Sequence, residues 1–352
     1  MNIGEPRMKN KDFSNITTTE SPNSITLQLE TNDGRGAITV YSVCPGILLS
    51  YNKIYAPFWP APDVDSNSPI LLLNYCISGR CEVALDNGSF AYITDSELCI
   101  SADNVIKEYS YPSHHYEGIE IFFDLNELNI TPDLISELAL ELGPFYSYYR
   151  NSPETYLSEP DPQLKNLLAE LWQLGQTERL STLKLKLLEI LSYLEVHTPL
   201  PHRKLHVFYS QTQVKIAKVA ASILTADLSI RYTAKELADH FNISETSLKN
   251  YFRGVYGVNL SSFILQLRIQ KAARLLKETQ DSITNIAKQV GYENQSKFAA
   301  VFKKNYGLAP LEYRRNITLQ KMSPASKRSE SGGNNFVSGG VQAPSEIAAE
   351  LL

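Results

Sequence analysis

One pattern occurs twice in the carboxyl-terminal part of the sequence: ADHFNISETSLKNYF at residues 238–252 and AKQVGYENQSKFAAVF at residues 287–302. Each copy has an Ala, an apolar residue three positions later, then Asn or Gly, and ends on two apolar residues four positions apart. Ala lets two helices approach closely, and Asn or Gly tolerates the left-handed backbone of a sharp turn. The repeat therefore predicts two helix-turn-helix units, of which the second has a turn one residue longer.

Apolar residues at helical spacing surround both copies. An opening helix is predicted to bury one face, formed by Ile216, Val219, Ala220, Ile223 and Leu224. Thr233 and Glu236 have the spacing of a capping box, and Asp281 or Ser282 can cap the equivalent helix of the second unit. A connecting helix over 260–278 is predicted to bury Leu265, Ile269, Ala272, Ala273 and Leu276. This helix is expected to hold the two units at a fixed separation.

A longer ordered pattern begins in the connecting helix. Its residues are Arg268, Ala272, Leu275, Leu276, Ile283, Ile286, Ala287, Gly291, Tyr292, Phe298, Phe302, Lys303, Tyr306, Gly307, Pro310, Tyr313 and Arg314. Over about 105 of the 352 residues, the chain resembles the DNA-binding domain of the AraC/XylS family of transcription regulators. The resemblance implies double-stranded promoter DNA as a partner, and RNA polymerase as a further partner if the protein is an activator.

The second helix of a helix-turn-helix lies in the major groove with its first residues against base edges. The predicted base-reading residues are Glu245, Thr246, Lys249 and Asn250 in the first unit and Asn294, Gln295, Ser296 and Lys297 in the second. Phosphate contacts are predicted for Arg253, Lys303, Lys304, Arg314 and Arg315. For any one residue a solvated position or a phosphate contact is an equal alternative, but the set favours base reading. Ala299 and Ala300 stand where many family members carry Arg, which lowers the base contact expected from the second unit.

Charge is divided unevenly along the chain. Residues 211–316 hold 16 Lys and Arg against 8 Asp and Glu, whereas the whole chain has a net charge of −5. A basic segment suits binding to nucleic-acid phosphates, and an acidic remainder limits indiscriminate attachment. Two solvated surfaces of different composition would give the same numbers, so the charge supports DNA binding only beside the motif.

The length of 352 residues predicts two or three domains. No run of about twenty apolar residues is present, so no membrane span is expected. The start of the chain, MNIGEPRMKNKDF, lacks the apolar core of a signal peptide, which favours the cytoplasm. The cysteines follow no recognised metal spacing and are predicted to be buried reduced thiols; they are Cys44, Cys76, Cys81 and Cys99. No cofactor or metal is expected, although a redox switch or soft-metal sensor is the alternative.

Short runs rich in β-branched and aromatic residues fill the amino-terminal third. Strands are predicted at 25–29, 37–43, 47–54, 70–77, 81–85, 90–93, 97–100, 105–111 and 116–123. Hairpin turns are predicted at Gly79-Arg80 and Asp86-Asn87-Gly88. This spacing indicates a small sandwich or barrel. The family resemblance implies, more narrowly, a cupin-like jelly roll over residues 24–130 that binds a small-molecule effector.

Aromatic residues are the candidates for the lining of an effector pocket in this domain. They are Tyr75, Tyr92, Tyr109, Tyr111, Phe122 and Phe123, with ordinary core positions as the more common alternative. Catalytic cupins hold a metal through two or three His and a carboxylate, but His114 and His115 are adjacent and point to opposite faces of any strand. The residues therefore favour a sensor over a metal-dependent cupin enzyme. A ligand-independent oligomerisation module is a further alternative.

Helical periodicity replaces the strand pattern over residues 131–197. A short helix through Leu134, Ile135, Leu138 and Leu140 is predicted to end at Gly143-Pro144 and the tyrosine-rich segment that follows. Two longer helices, over 164–172 and 183–194, are separated by Gly175-Gln176-Thr177 and predict an antiparallel hairpin. Their leucine-rich faces predict a homodimer contact, with packing inside the chain as an equal alternative.

Three segments are predicted to lie outside the folded parts. Residues 1–23 and 317–352 are polar and predicted to be disordered, and the Pro-containing residues 198–210 are predicted to be a linker. The expected architecture is an α+β multidomain protein. A cupin-like barrel or jelly roll with a helical hairpin precedes an all-α domain of two helix-turn-helix units at residues 211–316.

Overall fold

The computed structural model of the chain describes residues 16–31, 34–60, 70–85, 87–102, 108–124, 140–152, 155–175, 179–202 and 206–322. Two compact units divide the chain. The first comprises the residues up to Thr212 with Gly254–Gly257, and the second comprises Gln213–Arg253 and the residues from Val258. The first unit is built on an antiparallel sheet and the second is helical. The predicted division into a sheet domain followed by a helical domain is confirmed.

Antiparallel strands build the first unit. They are β1 (Ile16–Ser21), β2 (Ser24–Thr31), β3 (Gly34–Cys44), β4 (Ile47–Tyr55), β5 (Phe58–Pro60), β6 (Ile70–Ala84), β7 (Ser89–Thr94), β8 (Leu98–Ala102), β9 (Glu108–Ser110), β10 (Tyr116–Asp124), β11 (Tyr156–Ser158) and β12 (Tyr209–Ser210). The main path of pairing is β1-β2-β3-β4-β10-β6-β7-β12, while β8 pairs with β6 and β11, and β9 pairs with β5 and β6. This path is open within the described residues, so the finer prediction of a closed barrel or jelly roll is not confirmed.

Strand β6 runs through Gly79 and Arg80, where the sequence predicted a hairpin. Gly79 has φ +99°, and a side chain there would meet the backbone of His115. The strand pairs with β10 up to Gly79 and with β7 from Arg80 onward. The prediction was wrong because the glycine bends one long strand toward a new partner without reversing the chain. The other predicted turn is present: Gly88 has φ +76° and its N–H donates to the Leu85 oxygen, although Asp86 lies outside the described residues.

Residues 16–21 form strand β1, although disorder was predicted for residues 1–23. The strand pairs with β2 along its whole length, from Ile16 opposite Leu29 to Ser21 opposite Ser24. Its sequence, ITTTES, is rich in Thr, which favours an extended backbone, and its side chains are exposed except for a half-buried Ile16. A polar edge strand has no alternation of apolar residues, so the pattern did not reveal it. Residues 1–15 lie outside the described residues.

The helices of the first unit are α1 (Gly143–Arg150), α2 (Pro162–Leu174) and α3 (Leu180–His197). The predicted antiparallel hairpin is α2 with α3, because Tyr193 donates to Asp161 at 2.5 Å and Lys186 pairs with Glu170 at 2.6 Å. Helix α1 occupies a segment predicted to interrupt the helical pattern. Pro is tolerated in the first turn of a helix, where its missing N–H is not needed, so Pro144 fits as the second residue of this helix. Most of the short helix predicted around residues 134–140 lies outside the described residues.

Two apolar clusters occupy opposite faces of the sheet, as the alternation along a strand requires. Tyr75 belongs to the first cluster and the next residue, Cys76, to the second. The first cluster also contains the buried leucines of the hairpin, among them Leu168, Leu171 and Leu187. Packing inside the chain therefore accounts for most of the leucine-rich pattern that predicted a dimer.

None of the four cysteines forms a disulfide; Cys76, Cys81 and Cys99 are buried as predicted, whereas Cys44 is only half-buried. The segment predicted as a linker is attached to the first unit at both ends. Leu200 is buried and its N–H donates to Tyr149 at 3.0 Å, while Tyr209–Ser210 form β12 beside β7. Residues 203–205 lie outside the described residues.

The remaining helices lie wholly or for the most part in the second unit: α4 (Gln211–Ala226), α5 (Ala234–His240), α6 (Glu245–Tyr256), α7 (Leu260–Glu278), α8 (Ile283–Gln289), α9 (Gln295–Tyr306) and α10 (Pro310–Met322). Helix α10 extends into the predicted disordered tail, since residues 317–322 are helical; residues 323–352 lie outside the described residues. Within the described part of the chain, no helix is both long and apolar enough to cross a membrane.

Two predicted helix faces need correction. Helix α4 buries Val214, Ala217, Ala220, Ala221 and Leu224, whereas Ile216, Val219 and Ile223 are only half-buried. Helix α7 buries Leu260 and leaves Leu265 36% exposed. Alanines allow a neighbouring helix to approach closely, so they can occupy the buried side of a helix. The predicted faces gave more weight to large apolar residues and therefore placed Ile and Val on the buried side of α4.

Candidate nucleic-acid interface

The two helix-turn-helix units close their turns with the same hydrogen bond. The Ile243 N–H donates to the Ala238 oxygen at 3.1 Å, and the Tyr292 N–H donates to the Ala287 oxygen at 2.8 Å. Both alanines are 1% exposed. The absence of a larger side chain at each crossing lets the following helix approach, so the predicted pairing of the two copies is present in the backbone.

The turn residues adopt the left-handed conformation that the sequence predicted. Asn242 has φ 54° and Gly291 has φ 79°. A Cβ at Gly291 would lie 2.7 Å from the Leu228 oxygen and 2.8 Å from the Arg268 guanidinium. The second turn therefore requires glycine for two reasons, its backbone conformation and the close approach of neighbouring groups.

Side-chain caps fix the start of both scaffold helices. Thr233 and Glu236 form the predicted capping box, with hydrogen bonds of 3.1 and 2.8 Å, and these bonds lower the pKa of Glu236. Ser282 accepts from the Asn285 N–H at 3.1 Å, so Ser282 is the cap of α8. The neighbouring Asp281 accepts from Gln289 instead.

Two arginines link the segment before α5 to the connecting helix α7 and to the second helix-turn-helix. Arg231, just before α5, donates to the Gly291 oxygen at 3.0 and 3.2 Å. Arg268, in α7, donates to the oxygens of Leu228 at 3.0 Å and Ile230 at 2.9 Å. Charge-assisted hydrogen bonds are stronger than neutral ones, so these contacts resist relative movement of the two units. The sequence predicted no role for Arg231, because the partner of Arg231 is a backbone oxygen 60 residues away.

The recognition helices α6 and α9 bury one side and expose their first turns. Leu248, Phe252, Phe298 and Phe302 are fully buried. The predicted base-reading residues are all exposed: Glu245, Thr246, Lys249, Asn250, Asn294, Gln295, Ser296 and Lys297. Each helix therefore presents polar side chains at its amino terminus while its apolar side is fixed in the domain.

The caps of the recognition helices α6 and α9 show which residues of the two helices correspond to each other. Ser244 accepts from the Ser247 N–H at 3.1 Å, and Asn294 accepts from the Lys297 N–H at 3.0 Å. Asn294 therefore corresponds to Ser244, and the side-chain amide oxygen of Asn294 is engaged in the cap. In this register Ala299 and Ala300 correspond to the two strongest candidates of the first helix, Lys249 and Asn250.

Three other candidates have partners within the domain. Lys249 forms an ion pair with Glu245 one turn earlier, and both side chains are exposed. Gln295 accepts from the Thr284 hydroxyl at 2.5 Å, which joins α9 to α8. Exposed ion pairs contribute only about 0 to 1 kcal/mol, so Lys249 can exchange Glu245 for a nucleic-acid acceptor at little cost.

The predicted phosphate-contacting residues differ in exposure. Arg253, Lys303, Lys304 and Arg315 are exposed, whereas Arg314 is half-buried with its Nε and Nη2 atoms buried. Arg314 is therefore poorly placed for a phosphate. Its neighbour Tyr313 lies against the second helix-turn-helix, with its ring 5.3 Å from that of Phe302.

The aromatic residues proposed as one pocket lining are not brought together. Tyr75 and Phe123 lie in the cluster beneath the helices, while Tyr111 lies in the cluster on the other face. Tyr92 donates to Glu82 at 2.8 Å, Phe122 is half-buried, and Tyr109 lies in β9 with its side chain outside the described atoms. The prediction of a common aromatic lining depended on side-chain directions, which the strand register decides.

Comparisons with known proteins agree with this geometry. The helix-turn-helix domain family matches residues 237–316. The transcriptional activator CfaD of Escherichia coli is 34% identical over 92 residues, which are 26% of this chain and 34% of that protein. The activator RhaR of Yersinia pseudotuberculosis is 30% identical over 104 residues, 30% of this chain and 36% of that protein. A solved structure, the C-terminal domain of AraT from Geobacillus stearothermophilus, is 31% identical and covers 29% of this chain and 84% of that one, with a TM-score of 0.28.

The chain spans about a third of the length of these curated relatives. Two helix-turn-helix units on one connecting helix define a paired helix-turn-helix DNA-binding domain. With the matched relatives, this identifies the carboxyl-terminal domain as that of the AraC/XylS family of transcription regulators, as the sequence resemblance predicted.

Proposed function

We propose that the protein is a sequence-specific transcription regulator that binds double-stranded promoter DNA through its carboxyl-terminal domain. The observation that supports this most directly is the pair of recognition helices, each with an exposed polar first turn on a buried apolar side. Because CfaD and RhaR are named activators, activation is the expected mode, and RNA polymerase is a further proposed partner.

The proposed DNA contacts use both units. Recognition helices on one connector enter successive major-groove segments about 34 Å apart, so one monomer covers nearly two turns of duplex. In the first unit Lys249 and Asn250 are the principal base readers, supported by Glu245 and Thr246. In the second unit the readers are Gln295, Ser296, Lys297 and the amide nitrogen of Asn294. Arg253, Lys303, Lys304 and Arg315 are proposed to contact phosphates.

The amino-terminal unit is proposed to control this binding. Residues 24–130 form the cupin-like module that binds a small-molecule effector, and residues 131–197 form the homodimer contact. Leu185 and Val196 are the large apolar side chains that α3 leaves exposed, at 69% and 72%, and these are the proposed centre of that contact. The remaining domains are the proposed linker at 198–210 and the DNA-binding domain at 211–316.

Selection from random duplex DNA tests the proposal. The full chain is incubated with the pool at moderate salt, and bound duplexes are amplified and sequenced over several rounds. The expected result is one enriched motif with two elements about one helical turn apart. Enrichment of no sequence over the starting pool would refute specific binding, since phosphate contacts alone give no preference between sequences.

A further inference from the structure

A row of polar side chains crosses the sheet face that lies opposite the helices. Glu120 in β10 is paired with Ser50 in β4 on one side and with Asn74 in β6 on the other. Asn52 lies two residues from Ser50 and so faces the same way. Their exposed fractions are 1% for Ser50 and Asn52 and 4% for Asn74 and Glu120. These groups lie beside an apolar cluster that includes Cys76, where packing alone does not require polar atoms.

Among the described residues, the groups that hold the carboxylate of Glu120 are neutral. Asn74 donates to it at 2.9 Å and Ser50 at 3.5 Å, while Tyr116 donates to the Asn74 oxygen at 2.5 Å. Burial raises the pKa of Glu120 to about 7, against a lowering by Asn52 and Ser50. A buried carboxylate without a cationic partner is costly, and proteins normally supply that partner.

The titratable groups around Glu120 in the described part of the chain carry no positive charge. They are Cys81, Cys99 and Tyr116, whose own pKa values are raised by burial first and by the nearby carboxylate second. These groups are neutral near pH 7. Among the described residues, no Lys, Arg or His contributes to the pKa of Glu120.

Asn52 provides a second, independent sign of a missing partner. Both its amide nitrogen and its amide oxygen are buried without a hydrogen-bond partner in the described part of the chain. The amide faces Glu120 closely enough to favour its charged form, but falls short of hydrogen-bond geometry. Leaving a buried donor or acceptor unsatisfied costs about 1 to 3 kcal/mol. A bound group with both donors and an acceptor removes that cost.

We propose that this row binds the ammonium group of a small organic amine. An ammonium has three N–H donors, which match the carboxylate of Glu120, the amide oxygen of Asn52 and the hydroxyl oxygen of Ser50. The amide nitrogen of Asn52 donates to an acceptor next to the ammonium on the ligand. An anionic ligand is excluded by repulsion from Glu120, and a neutral one leaves the carboxylate without a counter-charge. The inference rests on the proposed function, since it names the chemical class of the effector.

Calorimetry with two small probes tests the inference on the full chain. Ethanolamine carries an ammonium beside a hydroxyl, and ethylene glycol replaces that ammonium by a second hydroxyl. At pH 8 ethanolamine is expected to bind at least tenfold more tightly than ethylene glycol. Its affinity is expected to fall about tenfold from pH 8 to pH 6, because protonation of Glu120 competes with the ammonium. Equal affinities for the two probes, or no binding of ethanolamine, overturn the inference.

Matched variants assign the effect to one carboxyl. Glu120→Gln keeps the shape of the side chain and is expected to abolish the preference for ethanolamine. Glu117→Gln is the control, since Glu117 lies three positions earlier on β10 and pairs with Tyr55; it is expected to keep the preference. Retention of the preference in Glu120→Gln overturns the inference.

Different experiments test the amine inference and the proposed function, so either can be refuted without the other. DNA selection on the same wild-type preparation reports on the regulator, whatever the probes do. If a neutral metabolite raises the melting temperature while ethanolamine does not bind, the proposal of a small-molecule effector is supported. The inference that the effector is an amine is then refuted. If wild-type protein enriches no DNA motif, the regulator proposal is refuted even where ethanolamine binds.

Discussion

Replacing Glu120 by Gln should make the first unit more stable at alkaline pH. Burial raises the pKa of this carboxyl from 4.5 to about 7, so the folded state binds a proton more tightly than the unfolded state. The stability that this proton provides is complete below pH 4.5 and is lost as the pH rises through 7. One pKa unit corresponds to about 1.4 kcal/mol, so the loss amounts to about 3 kcal/mol.

Urea unfolding at pH 5 and pH 8 measures this effect. Both tryptophans of the chain, Trp59 and Trp172, lie in the first unit, so their fluorescence reports on that unit. The quantity to compare is the free energy of unfolding of Glu120→Gln minus that of wild type, because other titrating groups cancel in the difference. This difference should increase by about 2.5 kcal/mol from pH 5 to pH 8, because part of the loss has already occurred by pH 5.

The control is again Glu117→Gln, which removes a carboxyl from the same strand and leaves the polar row in place. A Glu120→Gln difference that stays constant would refute the reasoning. It would mean that Glu120 titrates at the same pH in the folded and unfolded states, and that the polar row does not isolate the carboxyl from solvent.

Three further predictions concern the carboxyl-terminal domain. Gly291→Ala should lower its free energy of unfolding by about 1 to 3 kcal/mol, measured by circular dichroism, because the new Cβ meets the Leu228 oxygen in a left-handed backbone. Arg231→Gln removes the charged donor to the Gly291 oxygen and should weaken binding to a two-element DNA site more than to a single element, measured by fluorescence anisotropy. Lys249→Ala with Asn250→Ala should weaken binding to the selected motif by about 2 to 4 kcal/mol, measured by competition against random DNA.

Two of these predictions have a matched control variant. Asn242→Gly tests the equivalent turn and should leave stability nearly unchanged, since glycine accepts the same backbone angle. Lys277→Ala with Gln280→Ala removes the same charge and amide near the end of α7 and should leave the motif preference intact. An unaltered nuclease-protection pattern in Lys249→Ala with Asn250→Ala would contradict the assignment of α6 as a base-reading helix.

The helical domain was predictable because its signals are local. The turn at Asn242, the capping box at Thr233 and the crossing at Ala238 each depend on residues within one or two helical turns, and the structure confirms all three. The link made by Arg231 was not predictable in the same way. Its partner at Gly291 is defined only when two separate units have assembled.

In the sheet domain, the contacts between side chains could not be predicted from the sequence. The sequence predicted most strands, but the face on which a side chain lies depends on pairing between distant segments. Ser50 and Glu120 are 70 residues apart, and no spacing relates them before β4 and β10 pair. Strand pairing also decides that Tyr75 and Tyr111 lie in different apolar clusters, although the sequence predicted both in one pocket.

The two recognition helices are built alike but are chemically unequal. Where the first presents Lys249 and Asn250, the second presents the methyl groups of Ala299 and Ala300, and Asn294 uses its amide oxygen as a cap. Lys and Asn can hydrogen-bond base edges, whereas an Ala methyl group can only contact the methyl group of thymine. If the protein binds DNA as proposed, the first unit is expected to supply most of the sequence discrimination, and the second to extend the contact along the duplex. Because α7 joins the units in a fixed order, this unequal discrimination would give a bound monomer a defined direction on the DNA.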